Sequence, residues 1–477
     1  MRLAIELNLK MYKNALLSLL IIASLFSFFN PVHAQGVGPI YIVQPGDSLS
    51  TIAARFDVSV EALMEANGIR DPNLLAADQE LVIPGLEGIT GVLDTEVINF
   101  GDSFRSLERR TQVPEELFKR LNRLVSPTEF YVGASMIIPT EESESGPTTR
   151  LTPASGESLL ELAIKQNSDT WMLASFNHLA GTWDGLPGDV LYVRGGASDQ
   201  TASGLPSAFI SAEIRDLPIK QGGTGVIKVK TEAGVTLGGI LVDHELRFFP
   251  MEDGTQVALQ GVHALLDAGV YPLRLDATLP DETKQSFEQM VLVVSSNYND
   301  ITISVPSETL DPSVTDPENQ QVSSLVSNDT SSKKWEGAFQ IPVALPYCIK
   351  DWFGIRRTYL GQGTDIKLNG FHSGVDYGIC SEENPYDIYA PAPGTVVFSG
   401  PLTVRGNATI IDHGWGLYSG YWHQEESYVT AGQLVETGQL IGKIGGTGRV
   451  TGPHLHWEIW VNGVQVEPLD WLDQVYP

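Results

Sequence analysis

The amino-acid sequence predicts a multidomain chain of three small β-α-α-β modules, a β-sandwich and a C-terminal all-β domain. Three observations predict it. Landmark residues recur at an interval of 55 between Tyr41 and Arg194. Short alternating strands replace that pattern from Phe209 to Val305, and five of the nine histidines fall after Trp335. With 477 residues, 42% hydrophobic and 18% charged, the chain can bury several cores. A formal net charge of −28 opposes nucleic acid and anionic lipid as partners.

Residues 1–34 read as an export signal: Lys10 and Lys13 precede the apolar run Ala15 to Phe29, and Val32-His33-Ala34 offers small residues for cleavage. The run is short for a span of about 20 residues, so cleavage after Ala34 is expected rather than an uncleaved anchor, leaving no stable membrane span. No cysteine follows the run to take a lipid. Export makes Cys348 and Cys380 a candidate disulfide, two free thiols being the alternative.

Gly46-Asp47-Ser48-Leu49, Gly101-Asp102-Ser103-Phe104 and Gly156-Glu157-Ser158-Leu159 mark three repeats, at 41–84, 96–139 and 151–194. Asn67, Asn122 and Asn177 keep the register, as do Leu63, Phe118 and Leu173. In the first copy Tyr41 to Val43 is a strand, Ser48 an N-cap, and Leu49, Ile52, Ala53 and Phe56 follow helical spacing. A second helix to Asn67 and a strand Glu80 to Ile83 close a unit small enough to form a compact bead. Tyr41-Ile42-Val43-Gln44-Pro45-Gly46-Asp47-Ser48-Leu49, with Asn67 and Leu81-Val82-Ile83-Pro84, resembles the LysM family. The resemblance implies binding of N-acetylglucosamine-containing glycans such as peptidoglycan between the Gly46, Asp47, Ser48, Leu49 turn and the loop after Asn67. Asp47 and Asn67 are equally explained as residues that cap turns. The third copy departs furthest, lacking the closing proline.

Residues 205–305 carry short strands separated by turns such as Asp253-Gly254, which suggests a β-sandwich; it resembles the immunoglobulin-like module that precedes some wall-peptidase domains. His244 and His263 in it read as structural. Residues 306–335 are polar, without apolar periodicity, and read as a connector.

The chemistry concentrates in 336–477. On a strand His454 and His456 share a face about 6 to 7 Å apart, while Leu455 and Trp457 pack behind; alone, H-x-H also suits two surface histidines. His372 and Asp376 are too far apart on a straight strand to share an ion, and Gly374 permits a bend. His372, Asp376 and one of His454 or His456 give three N/O ligands, the complement of a catalytic zinc. The leftover histidine and His423 are then placed to orient water, move its proton or stabilise an oxyanion. His413, in Asp412-His413-Gly414, reads as a turn residue. No H-E-x-x-H, G-x-S-x-G or P-loop is present.

His372-Ser373-Gly374-Val375-Asp376, Ala390-Pro391-Ala392-Pro393-Gly394-Thr395-Val396, Tyr421-Trp422-His423 and Gly452-Pro453-His454-Leu455-His456-Trp457-Glu458 resemble the lysostaphin-type zinc metalloendopeptidases. The resemblance implies one Zn2+ on His372, Asp376 and His456, with His423 and His454 catalytic, and cleavage of peptidoglycan stem peptides or their cross-links. With the export signal at 1–34, the protein is expected to be exported: extracellular, wall-associated or periplasmic. Gln424-Glu425-Glu426 departs from the family pattern at the rim of the cleft. A rival reading is a catalytically silent wall-binding scaffold that activates a separate amidase.

Overall fold

The computed structural model describes residues 38–86, 89, 91–124, 126, 129–140, 149–153, 156–187, 189–193, 204–328, 330–379 and 386–477. The expected export signal and Cys380 lie outside them. Among the described residues no cysteine is free, and no helix is long and apolar enough to cross a membrane.

The first repeat supplies β1 (Ile40–Ile42), α1 (Leu49–Phe56), α2 (Val60–Asn67) and β2 (Glu80–Val82). The second supplies β3 (Val92–Val97), α3 (Phe104–Thr111), α4 (Glu115–Asn122), β4 (Tyr131–Val132) and β5 (Ser135–Thr140). The third supplies β6 (Thr149–Leu151), α5 (Leu159–Lys165), α6 (Thr170–Phe176) and β7 (Leu191–Val193), with β6 antiparallel to β7. Ser48 starts α1 with a reciprocal capping box: its Oγ accepts the Thr51 N–H at 3.2 Å, and Thr51 Oγ1 accepts the Ser48 N–H at 2.9 Å.

The chain forms two compact units. One comprises the described residues within Met1–Glu96, Glu116–Arg123 and Ile137–Glu144; the other comprises those within Val97–Glu115, Leu124–Met136 and Ser145–Pro477. In the first, β1 pairs antiparallel with β2 and parallel with β3, in a sheet of order β2-β1-β3-β5. This corrects the expectation of separate beads. A sheet of two three-residue strands leaves both edges bare, and joining the first two copies through β1 and β3 pairs two of those edges.

In the second unit come β8 (Phe209–Arg215), β9 (Ile219–Lys220), β10 (Thr224–Thr231), β11 (Thr236–Leu241), β12 (His244–Glu245), β13 (Phe249–Pro250), β14 (Gln256–Gly261), β15 (Gly269–Thr278) and β16 (Lys284–Val294). They form two sheets, β13-β14-β10-β8 and β12-β11-β15-β16-β4, with β9 on β16. Ile227, Val229, Ala258, Leu273, Leu275, Val291 and Val293 fill the space between them. The next strand, β17 (Asp300–Val305), leaves the sandwich to pair in parallel with β19 of the C-terminal domain (Arg356–Gly361).

The connector also holds regular structure that its polar composition did not predict. Pro312–Val326 is a 15-residue helix, α7, started by Asp311 and by proline in its first turn. Val322 and Val326 pack on Ala408, Ile410, Tyr418, Trp422 and Trp460. Those two valines share their buried face with Glu318, a residue that in sequence marks a solvated face, so no apolar period was visible.

The C-terminal domain continues with β18 (Cys348–Asp351), β19, β20 (Lys367–Phe371), β21 (Val375–Gly378), β22 (Asp387–Tyr389), β23 (Gly394–Leu402), β24 (Gly406–Gly414), β25 (Leu417–Ser427), β26 (Leu434–Val435), β27 (Leu440–Ile444), β28 (His454–Val461), β29 (Val464–Val466) and the short helix α8 (Asp470–Asp473). Its main sheet runs β18-β21-β28-β25-β24-β23-β26. The core beneath it is continuous with the sandwich: Val226, Phe249, Val257 and Leu259 join Val375, Tyr377, Trp415, Leu455 and Trp457 in one cluster, and Phe249 stacks on Trp415 at 5.1 Å.

Candidate metal centre

The adjacent strands β21, β28 and β25 carry the site. Antiparallel pairing sets Asp376 opposite His456, and His456 opposite Trp422. His372 follows β20, and the chain turns before β21 begins at Val375. Gly374 is required there for proximity: a Cβ would lie 2.3 Å from the Trp457 carbonyl and 2.8 Å from His456 Nε2. His423 falls at a register shift between β24 and β25 and holds φ at 63°; such a bulge re-aims a side chain.

The structure brings three of the five expected polar residues into direct reach of one another, with His423 and His454 beside them. His372 Nε2 lies 3.0 Å from Asp376 Oδ1 and 3.0 Å from His456 Nδ1, and His456 Nδ1 lies 2.7 Å from Asp376 Oδ1. All three residues are buried, and among the described residues they form a group able to hold a metal ion. His454 Nε2 approaches Asp376 Oδ2 only to 3.7 Å, so geometry separates two histidines that spacing alone left equivalent. The His423 ring stands 4.9 Å from His454 and 6.2 Å from His456.

Each imidazole is oriented by its second nitrogen. His372 Nδ1 donates to the Trp352 carbonyl at 2.7 Å, His454 Nδ1 to the Gly452 carbonyl at 2.8 Å, and His423 Nδ1 to the Thr447 carbonyl at 2.8 Å. His456 Nε2 donates to Glu458 Oε1 at 3.1 Å. Glu458 also accepts from Ser373 Oγ at 2.5 Å and Trp460 Nε1 at 2.8 Å. Glu458 is the residue that the sequence reading did not place in the site. The signal was present, because the period of two that put His454 and His456 on one face extends to position 458.

Burial would raise the Asp376 carboxyl, but the bonds from His372 and His456 hold it well below the carboxylate range. Burial likewise opposes charge on His456, and Asp376 and Glu458 outweigh it, raising His456 to about 9. Glu458, pushed up by burial and down more strongly by His456, sits at about 2. Burial, then the neighbouring His456 and His454, depress His423 to about 3. Two imidazoles and one carboxylate converging in a buried cluster, with each imidazole fixed by a carbonyl or carboxylate, fit a zinc ion.

The remaining candidates stand elsewhere. His413 is corrected from a turn residue to a fully buried one in β24, its Nδ1 bonded to the Pro393 carbonyl and its Nε2 to Ser419 Oγ. Gln424 is buried, its amide donating to the Tyr421 carbonyl, so it does not line the rim. In the first repeat, Asp47 accepts the Gln44 N–H and the Tyr41 hydroxyl, and Leu49 is core. The Asn67 amide donates to the Leu63 and Val82 carbonyls and accepts the Val82 N–H, tying α2 to β2. Asn122 and Asn177 repeat this set on Phe118 and Ile137 and on Leu173 and Tyr192. The conserved spacing of these asparagines along the chain therefore marks an internal brace.

The family model described as Peptidase family M23 matches residues 370–468, and that of the LysM domain matches 41–84 and 97–139. The chain carries LysM domains and a C-terminal M23 peptidase domain. Two LysM matches are found where three repeats were expected. Peptidoglycan DD-endopeptidase ShyC of Vibrio cholerae is 41% identical over 97 residues, 20% of this chain and 22% of that protein. ShyA, a peptidoglycan DD-endopeptidase of the same organism, is 38% identical over 142 residues, 30% of this chain and 31% of that one. Murein hydrolase activator NlpD of Escherichia coli is 36% identical over 115 residues, 24% of this chain and 30% of that one. The chain thus spans between 22% and 31% of the length of these relatives.

Proposed function

We propose that the protein is an exported zinc endopeptidase that hydrolyses peptide cross-links of bacterial peptidoglycan. The carrying observation is the convergence of His372 Nε2, Asp376 Oδ1 and His456 Nδ1 beside His423 and His454. His372, Asp376 and His456 would hold the ion. Zinc bound there would supply Lewis acidity toward a scissile carbonyl and an attacking water. His423 is neutral at physiological pH, and with its Nδ1–H held by Thr447 its Nε2 accepts the proton of the attacking water. His454, fixed through Nδ1, turns Nε2 toward the same space and stabilises the developing oxyanion or passes a proton to the leaving amine.

The three repeats, the third being β-α-α-β like the others, hold the enzyme on glycan strands and raise local substrate concentration. The glycan surface is the exposed part of the Gly46, Asp47, Ser48, Leu49 turn, with the Leu49 side chain buried beneath it; Asn67 ties α2 to β2. The sandwich is an immunoglobulin-like spacer. The scaffold reading draws on the similarity to the activator NlpD, but the full set of five polar positions favours the enzyme.

The mature chain should bind about one zinc and release soluble fragments from purified sacculi, and a chelator should abolish that release. Mass spectrometry of the fragments should find new amino and carboxyl termini within peptides on intact glycan. Zinc binding without fragment release, together with stimulation of an added amidase, would instead establish the scaffold reading.

A further inference from the structure

We infer that Glu318, on the α7 helix outside the matched peptidase segment, is a positioning residue for His423. Its carboxylate is buried and clamps the β23–β24 turn: Oε2 accepts the Val404 N–H at 2.7 Å, and Oε1 accepts the Arg405 N–H at 3.0 Å and Arg405 Nη1 at 2.9 Å. The same turn holds the catalytic histidine, because the Arg405 carbonyl accepts the His423 N–H at 2.8 Å. His423 adopts a left-handed backbone conformation, which a residue with a Cβ keeps only while its surroundings impose it.

The second restraint on His423 is tied to the same turn. The Thr447 carbonyl takes its ring Nδ1–H, Thr447 Oγ1 takes the Asn407 N–H at 2.9 Å, and the Val404 carbonyl takes the Arg449 N–H at 2.8 Å. The two loops touch closely enough that a Cβ on Gly406 would meet the Thr447 carbonyl at 2.4 Å. Arg449 Nη1 in turn donates to the Thr309 carbonyl, just before α7. The segment that joins the sandwich to the C-terminal domain therefore grips both loops that orient His423, and Glu318 makes the largest share of that grip through two consecutive backbone amides. Losing it frees the turn, and with it the imidazole, while His372, Asp376 and His456 keep their own partners.

For its activity readout this inference rests on the endopeptidase reading, so the test carries an independent arm. Full-length Glu318→Ala and Glu318→Gln are compared with wild type for zinc content, for kcat and KM on purified sacculi, and for amide hydrogen exchange. Glu318→Ala should retain one zinc, lose about tenfold in kcat with KM unchanged, and exchange faster at 402–406 and at His423. Glu318→Gln keeps acceptor oxygen but loses charge, so it should fall between the two. Ser324→Ala, on the exposed face of α7, should match wild type. Wild-type exchange at His423 in Glu318→Ala, or faster exchange confined to α7, would overturn the inference; if Glu318→Ala does not fold, Glu318→Gln decides by the same measure. Should wild type leave sacculi intact, the endopeptidase reading fails and the exchange arm still settles the coupling.

Discussion

Glu458 shows how much of the His372, Asp376 and His456 cluster depends on a residue outside it. It anchors His456 through Nε2 and is itself held by Ser373 and Trp460. Glu458→Gln should weaken zinc affinity by about 10- to 100-fold, as loss of an outer partner does at other metal sites; a competition titration with a chromogenic chelator measures it, and zinc restored in excess should recover most of the rate. His423→Ala should do the opposite. Zinc content stays at one per chain while turnover falls by about 10²- to 10⁴-fold, the range for a lost general base. A variant that digests sacculi at the wild-type rate would remove His423 from the mechanism. Sequence made the ligand types legible, because H-x3-D and H-x-H state them outright. It did not make legible which histidine joins His372 and Asp376, since that depends on the register between β21 and β28.

The asparagine brace and the α7 helix are features of the element scale. Asn177 is buried, and its amide makes three backbone bonds between α6 and β7. Asn177→Ala should cost about 1 to 3 kcal/mol by removing the side-chain bonds to the Tyr192 N–H, the Tyr192 carbonyl and the Leu173 carbonyl. Amide exchange of Tyr192 reads that loss locally, which suits a chain of several domains that need not unfold in one step; unchanged protection there would refute the brace. The helices of the repeats were legible because capping serines and apolar spacing coincide. Helix α7 was not, because Glu318 occupies its buried face and is satisfied by the amides of residues 404 and 405, more than 80 positions away.

At the scale of the whole molecule, the sandwich and C-terminal domain share a core, and Glu467 lies at their junction. Its N–H donates to the Gly222 carbonyl at 2.7 Å, and its Oε1 accepts the Leu469 N–H at 3.2 Å. Burial, with a smaller contribution from Asp470, raises its carboxyl from 4.5 to about 7. A carboxyl with a raised folded-state value binds its proton more tightly in the native state. Stability should therefore fall as pH rises from 4.5 to about 7, by at most about 3 kcal/mol, and be flat on that account above it. Glu467→Gln, which keeps the acceptor, should remove that slope and leave the protein more stable at pH 8; denaturation at pH 5 and pH 8 checks both, and an unaltered slope would contradict the assignment.

The sequence by itself determined the repeats, the ligand types and the catalytic histidines' candidacy, since each depends on residue identity at short spacing, where backbone geometry is nearly fixed. The tertiary structure decided what depends on contacts between distant segments: the sheet joining the first two repeats, the convergence of His456 rather than His454 on His372 and Asp376, the place of Glu458 beneath it, and the docking of α7 against the turn that holds His423. Register and burial create those relations, and neither is written in local spacing.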